Sequence, residues 1–155
     1  MSNHKRIAVF PGSFDPFTIG HEALVKRTLG LFDEIIVAVG KNSNKNYMFP
    51  VEKRTEWIKN VFAKEPKVRV TGFTGLTVDF CKKNKATYII RGVRTSTDFE
   101  FEKAIAQMNR SISSIETIFI MPQPEHSAIN STIIRDIIRN KGDVSLFVPK
   151  GVELK

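Results

Sequence analysis

The sequence predicts an α/β protein, a doubly wound five-stranded parallel sheet with helices on both faces, and three observations carry that prediction. Short β-branched runs alternate with longer helical patterns along the chain, the mark of βαβ units. One such run, Ile35-Ile36-Val37-Ala38-Val39, is apolar at every position, as a strand is when helices cover both of its sides. No internal repeat, low-complexity stretch or Pro/Gly/Ser-rich linker breaks the 155 residues. Residues 1–155 therefore read as a single domain, long enough to bury a real core.

Taken in order, residues 6–10 read as the first strand. Residues 20–32 follow as an amphipathic helix with Ala23, Leu24, Leu31 and Phe32 on its apolar side. Residues 34–39 form the second strand, and 51–63 a helix carrying Trp57, Ile58, Val61 and Phe62. The third strand spans 68–71, a helix 76–84, and the fourth strand 87–90. A long helix over 98–112, a fifth strand over 116–121 and a helix over 131–140 complete the pattern, with a short helical turn near 144–147. In such a sheet, ligands bind beyond the carboxyl ends of the strands where the winding reverses. The loops after strands one, two, four and five are the ones to inspect.

Composition excludes several classes. No run approaches the ~20 apolar residues of a membrane helix, and the apolar stretch 7–10 is too short for a signal-peptide core before Pro11-Gly12. Cys81 is the only cysteine, which rules out an intrachain disulfide and a cysteine metal cluster. A cytoplasmic location is the expectation. Next to Phe80 on an apolar helical face, Cys81 reads as a buried structural thiol, and Trp57 as core. His4, Lys82, Lys83 and Lys85 read as surface. The net charge of +8 suggests anionic partners, either nucleic acid or small polyphosphates, or a solvated surface without a binding role. No basic block forms a tail, and no basic helix, zinc spacing or aromatic RNA-binding strand is present. The expectation is therefore no nucleic acid and no membrane.

Three loops carry candidate chemistry. After strand one, Gly12 permits a tight turn and Ser13 offers a hydroxyl, while Thr18, Gly20 and His21 gather at a helix start. Free amides there attract phosphate, and His21 adds a side-chain donor. Neither a P-loop nor a Gly-x-Gly-x-x-Gly fingerprint is present. Asp15 reads as a cap for its loop before Pro16. After strand four, Arg91-Gly92-Val93-Arg94 places two forked donors at a strand end, and Thr97 with Glu100 has the spacing of a capping box. At the last helix, Asn130 or Ser131 would cap the first amides.

Thr18-Ile19-Gly20-His21 resembles the Thr/His-x-Gly-His signature of the nucleotidyltransferase superfamily. Ile129-Asn130-Ser131-Thr132-Ile133-Ile134-Arg135 resembles its second, Ile-Ser-Ser-Thr-x-x-Arg/Lys. Those enzymes are Rossmann-like. The arginine loop, followed by Asp98-Phe99-Glu100 and Gln107-Met108-Asn109-Arg110, narrows the resemblance to the phosphopantetheine adenylyltransferases. So do Met48-Phe49 with Glu52 and Arg54, the run from Gly75 to Phe80, and Gly142-Asp143-Val144. The motifs span nearly the whole chain in the same order. The arginine loop argues against the sister glycerol-phosphate cytidylyltransferases and nicotinate-mononucleotide adenylyltransferases.

The resemblance implies transfer of AMP from ATP onto 4′-phosphopantetheine, giving dephospho-coenzyme A and pyrophosphate. It implies a catalytic group of His21, Lys45 and Arg91, and contacts to the acceptor from Ser13, Lys45, Thr77, Arg91 and Asn109. Contacts to ATP are implied for Ser13, Phe14, His21, Gly92, Val93, Arg94 and Glu102. The segment His126, Ser127, Ala128, Ile129, Asn130, Ser131 and Thr132 is implied to cradle the phosphates. Mg²⁺ would travel with ATP, without a protein metal cage. Coenzyme A as an inhibitor and a homohexamer are implied too. The chain departs from the family at Asn46-Tyr47, where Lys-Pro is usual, and at Phe101, His126, Ala128 and Asn130. The chemistry suits this residue set. A phosphate monoester has a second pKa of about 6, so the acceptor is already a nucleophile, and positioning and charge neutralisation remain.

Overall fold

Alternation along the central strands sorts their side chains into two cores. A computed structural model describes residues 4–154, so both ends of the single domain expected over 1–155, Met1–Asn3 and Lys155, lie outside the described residues. In β1 (Ile7–Gly12), Ala8 and Phe10 face one core while Ile7 and Val9 face the other. In β2 (Glu34–Gly40), Ile35, Val37 and Val39 join the first, and Ile36 and Ala38 the second. That two-residue period on a run apolar throughout is how one strand serves two helical layers.

The first core is closed by α1 (Ile19–Thr28), through Leu24 and Val25, and by α2 (Val51–Val61), through Trp57 and Ile58. The second is closed by α3 (Thr77–Lys83), through Val78 and Cys81. The remaining elements are β3 (Val68–Phe73), β4 (Tyr88–Gly92), α4 (Ser96–Ser113), β5 (Glu116–Ile120), a 3₁₀ turn at Pro124–His126, and α5 (Ser131–Arg139). The five strands are parallel in the order β3-β2-β1-β4-β5, so the doubly wound sheet stands as expected. Winding runs outward from β1 through β2 to β3, then returns past β1 to β4. The loops after β1 and β4 therefore diverge and leave a crevice between them.

Several boundaries differ from the sequence reading, each for a physical reason. α1 stops at Thr28, whose hydroxyl donates to the Leu24 and Val25 carbonyls at 3.1 and 2.9 Å. Leu31 is consequently half exposed, although Phe32 is buried. β1 and β3 run to Gly12 and Phe73 because the strand ladder needs only backbone partners, and Gly12 pairs with Val39. The α4 cap is Thr95 and not Thr97, since the Thr95 hydroxyl accepts from the Asp98 amide at 3.1 Å. At 144–147 there is a single turn, closed by the Phe147 amide on the Val144 carbonyl. Beyond it Val152 is buried in the first core, and Ile19 donates to Phe147 at 3.0 Å. No helix among the described residues is long and apolar enough to cross a membrane.

Candidate active site

The start of α1 fixes the protonation state of its histidine. Thr18 is the N-cap, and its hydroxyl accepts from the His21 amide at 3.2 Å. In return the Thr18 amide donates to His21 Nδ1 at 3.0 Å. With Nδ1 accepting, the neutral ring carries its proton on Nε2. The rings of Phe14, Phe17 and Phe10 pack near the imidazole at centroid distances of 5.0, 5.3 and 6.2 Å. Burial, helped by the nearby Arg91 and Arg94 charges, pushes the His21 pKa down to about 3. His21 is thus a neutral donor throughout the physiological range.

A second helix start meets the first. Asn130 caps α5, its side-chain oxygen accepting from the Ile133 amide at 2.8 Å. The Ser131 hydroxyl donates to the Pro16 carbonyl at 2.8 Å, and Arg135 Nη1 to the Asp15 carbonyl at 2.9 Å. These bonds lash α5 to the β1–α1 loop. Two helix N-termini, each with positive dipole character, then line one cavity of about 650 Å³ with Gly92 and Arg94.

A neighbouring cavity of about 920 Å³ is lined by Lys45, Thr77, Asn109 and Thr117. Ser13, Arg91 and Glu102 belong to both. Arg91, at the end of β4, forms a bidentate pair with Glu102 of α4 at 3.0 and 2.7 Å. Its third bond, Nη1 to the Pro11 carbonyl at 2.8 Å, ties β4 to β1 across the crevice. The guanidinium keeps N–H donors over for an anion.

A residue outside the expected site set supports the Lys45 side. Arg54 of α2 is 1% exposed and donates to the Phe49, Ser13 and Gly40 carbonyls at 2.9, 2.6 and 3.0 Å. It therefore joins the β1–α1 loop to the β2–α2 loop. Asp15 does the same from the other side, accepting from the Met48 and Phe49 amides at 2.7 and 3.0 Å. Asp15 thus holds the β2–α2 loop and does not cap its own. One signal in the sequence pointed to Arg54. It lies three, four and seven residues before Trp57, Ile58 and Val61, a charge on the apolar stripe of its helix.

The cytidylyltransferase-like family model matches residues 9–137. The phosphopantetheine adenylyltransferase of Flavobacterium psychrophilum is 54% identical over 97% of this chain and 99% of its own. That of Flavobacterium johnsoniae is 51% identical over the same shares. The Bacteroides fragilis protein of the same name is 46% identical over 96% and 99%. The chain belongs to the phosphopantetheine adenylyltransferases, within the cytidylyltransferase-like family.

Most residues that the adenylyltransferase motifs single out converge on the two cavities. Ser13, Arg91 and Glu102 line both, Lys45, Thr77 and Asn109 the larger, and His21, Gly92, Arg94, His126, Ile129, Asn130, Ser131 and Thr132 the smaller. Phe14 touches the smaller cavity but its ring is 4% exposed and packed in the first core. Val93, Ser127 and Ala128 stand outside the lining. Val93 instead bonds its amide to the Ile120 carbonyl at 3.0 Å, extending the β4–β5 pairing. His126 Nδ1 and Thr117 Oγ1 are buried without a hydrogen-bond partner among the described residues. Among those residues no group of three or more His, Cys, Asp or Glu is placed to hold a metal ion. Cys81 is fully buried, and burial raises its pKa to about 11, as suits a structural thiol.

Proposed function

We propose that the two cavities hold the two substrates of an adenylyl transfer, ATP in the smaller and 4′-phosphopantetheine in the larger. The observation that carries this reading is their meeting at Ser13 and Arg91, beside His21 and two helix N-termini. An acceptor phosphate oxygen attacks the α-phosphorus of ATP. The bond from that phosphorus to the bridging oxygen breaks, pyrophosphate leaves, and dephospho-coenzyme A forms.

Each residue then has a chemical task. His21 Nε2–H donates to the α-phosphate as charge builds there, without giving up its proton. Lys45 and Arg91 hold the acceptor phosphate, and Ser13, Thr77 and Asn109 complete its seat. Gly92, Arg94, Glu102 and the start of α5 hold the nucleotide, with Glu102 keeping Arg91 in its plane. Mg²⁺ would enter with the triphosphate and offset part of its charge, beside His21 and Arg94 in the smaller cavity. No general base is needed, because the acceptor phosphate is largely ionised at neutral pH.

The 18-residue helix α4 supports an oligomer, since it buries no residue within the chain. Phe101, Ile105, Met108 and Ile112 recur along one face, and all are exposed. An apolar stripe of that length calls for a partner, and a homohexamer in the cytoplasm is the reading. Coenzyme A carries the phosphopantetheine arm of the product and would compete for the larger cavity.

The test is pyrophosphate release from ATP and Mg²⁺. Release that depends on 4′-phosphopantetheine and collapses in His21→Ala supports the reading. A folded, ATP-binding protein that releases none with this acceptor refutes it.

A further inference from the structure

We propose that Tyr47 is a positioning residue for Lys45, latching the loop between β2 and α2 so that the lysine is presented to the acceptor phosphate. The inference rests on the reading of Lys45 given above. The Tyr47 ring lies over the buried Arg54 guanidinium, 4.0 Å from its carbon to the ring centroid. Its hydroxyl accepts from the Asn42 amide at 3.1 Å. Asn42 in turn builds the turn that ends at Lys45. Its carbonyl accepts from the Lys45 amide at 3.0 Å, and its side-chain oxygen from the Asn44 amide at 2.9 Å. One aromatic side chain therefore grips both ends of the Lys45 turn, Asn42 through a hydrogen bond and residue 47 through the stack.

The anchor for that grip is rigid. Arg54 is fixed by the carbonyls of Ser13, Gly40 and Phe49, so the stack ties Lys45 to the same guanidinium that holds Ser13. Lys45 itself is exposed, and a flexible four-carbon stem on a free loop would sample many positions. With the latch closed, its backbone origin is set relative to Ser13 on the opposite wall. The amides of Met48 and Phe49, held by Asp15, secure the chain beyond Tyr47 and leave Asn42 to Lys45 dependent on the tyrosine.

A double-mutant cycle separates positioning from general destabilisation. Tyr47→Ala, Lys45→Met and the double variant are compared by kcat/KM for 4′-phosphopantetheine, with thermal unfolding run alongside. The expected result is a loss of about tenfold for Tyr47→Ala in the native background, the scale of a partly desolvated cation–π contact. In the Lys45→Met background the same change should cost less than about twofold. Tyr47→Phe keeps the stack and loses only the hydroxyl bond, so it should fall between native and Tyr47→Ala, and it serves the same cycle if the alanine variant does not fold. Equal losses in both backgrounds overturn the proposal while leaving the Lys45 reading intact. A silent Lys45→Met overturns both.

Discussion

His21 shows how one local exchange sets chemistry. Its Nδ1 is occupied by the Thr18 amide, and its ring packs against three phenylalanines while still lining the smaller cavity. The site gains a neutral donor whose state does not change near pH 7. Loss of such a donor typically costs about two to three orders of magnitude in rate, so His21→Ala should lower kcat by that factor while ATP still binds. The pH profile of kcat/KM should show no limb from His21, and its acid limb should follow the acceptor phosphate near pH 6. A limb that persists at the same pH in the alanine variant would agree. Stability carries the opposite signature. The unfolded histidine takes a proton near pH 6.5, whereas the folded one refuses it until about pH 3. His21 therefore costs stability as pH falls between those values, and His21→Gln should lose less of its denaturant midpoint between pH 7 and pH 5 than the native chain. Arg54 is the other decisive residue. Arg54→Met strips three carbonyls of their donor and should cost about 3 kcal/mol, within the range for unsatisfied buried polar groups, readable by urea unfolding.

At the scale of elements, the β1–α1 loop works because its backbone comes within packing distance of the core. A Cβ on Gly12 would stand 2.7 Å from the Phe14 ring, and that ring, 4% exposed, has nowhere to move. Phe14 itself sits at a positive φ of 50°. Gly12→Ala should therefore destabilise the fold by about 1–3 kcal/mol, the usual cost of overpacking, and raise KM for both substrates by shifting Ser13. Calorimetry with steady-state kinetics reads both effects. The motif Thr18-Ile19-Gly20-His21 and the Ser131-Thr132 helix start were legible because each is local, with a cap, a helix start and a hydroxyl adjacent in sequence. The α4 cap was misplaced by two residues because Thr95 and Thr97 both have an acidic residue three positions on, and only the backbone geometry chooses between them. Likewise Asp15 bonds to amides 33 and 34 residues away, which no local pattern records.

For the whole molecule, the winding reversal at β1 sets the two cavities side by side, and α4 leaves an apolar stripe exposed. The stripe of Phe101, Ile105, Met108 and Ile112 predicts that Met108→Glu with Ile112→Glu lowers the oligomer to smaller species in light scattering. Phe101 and Ile105 also line the cavities, so dissociation should reduce activity as well. An unchanged mass would place the interface elsewhere.

The sequence by itself determined the order of strands and helices, the parallel doubly wound sheet and the two phosphate-directed motifs. All are encoded in periodicity, capping residues and loop composition, which act over a few residues. Tertiary structure alone decided the tautomer of His21, the pairing of Arg91 with Glu102 and the burial of Arg54. It also decided which residues of the 126–132 segment face the cavity. Those depend on which loops the strand order 3-2-1-4-5 brings together. Side chains distant in the chain acquire their partners, and their protonation, only when the sheet closes its two cores.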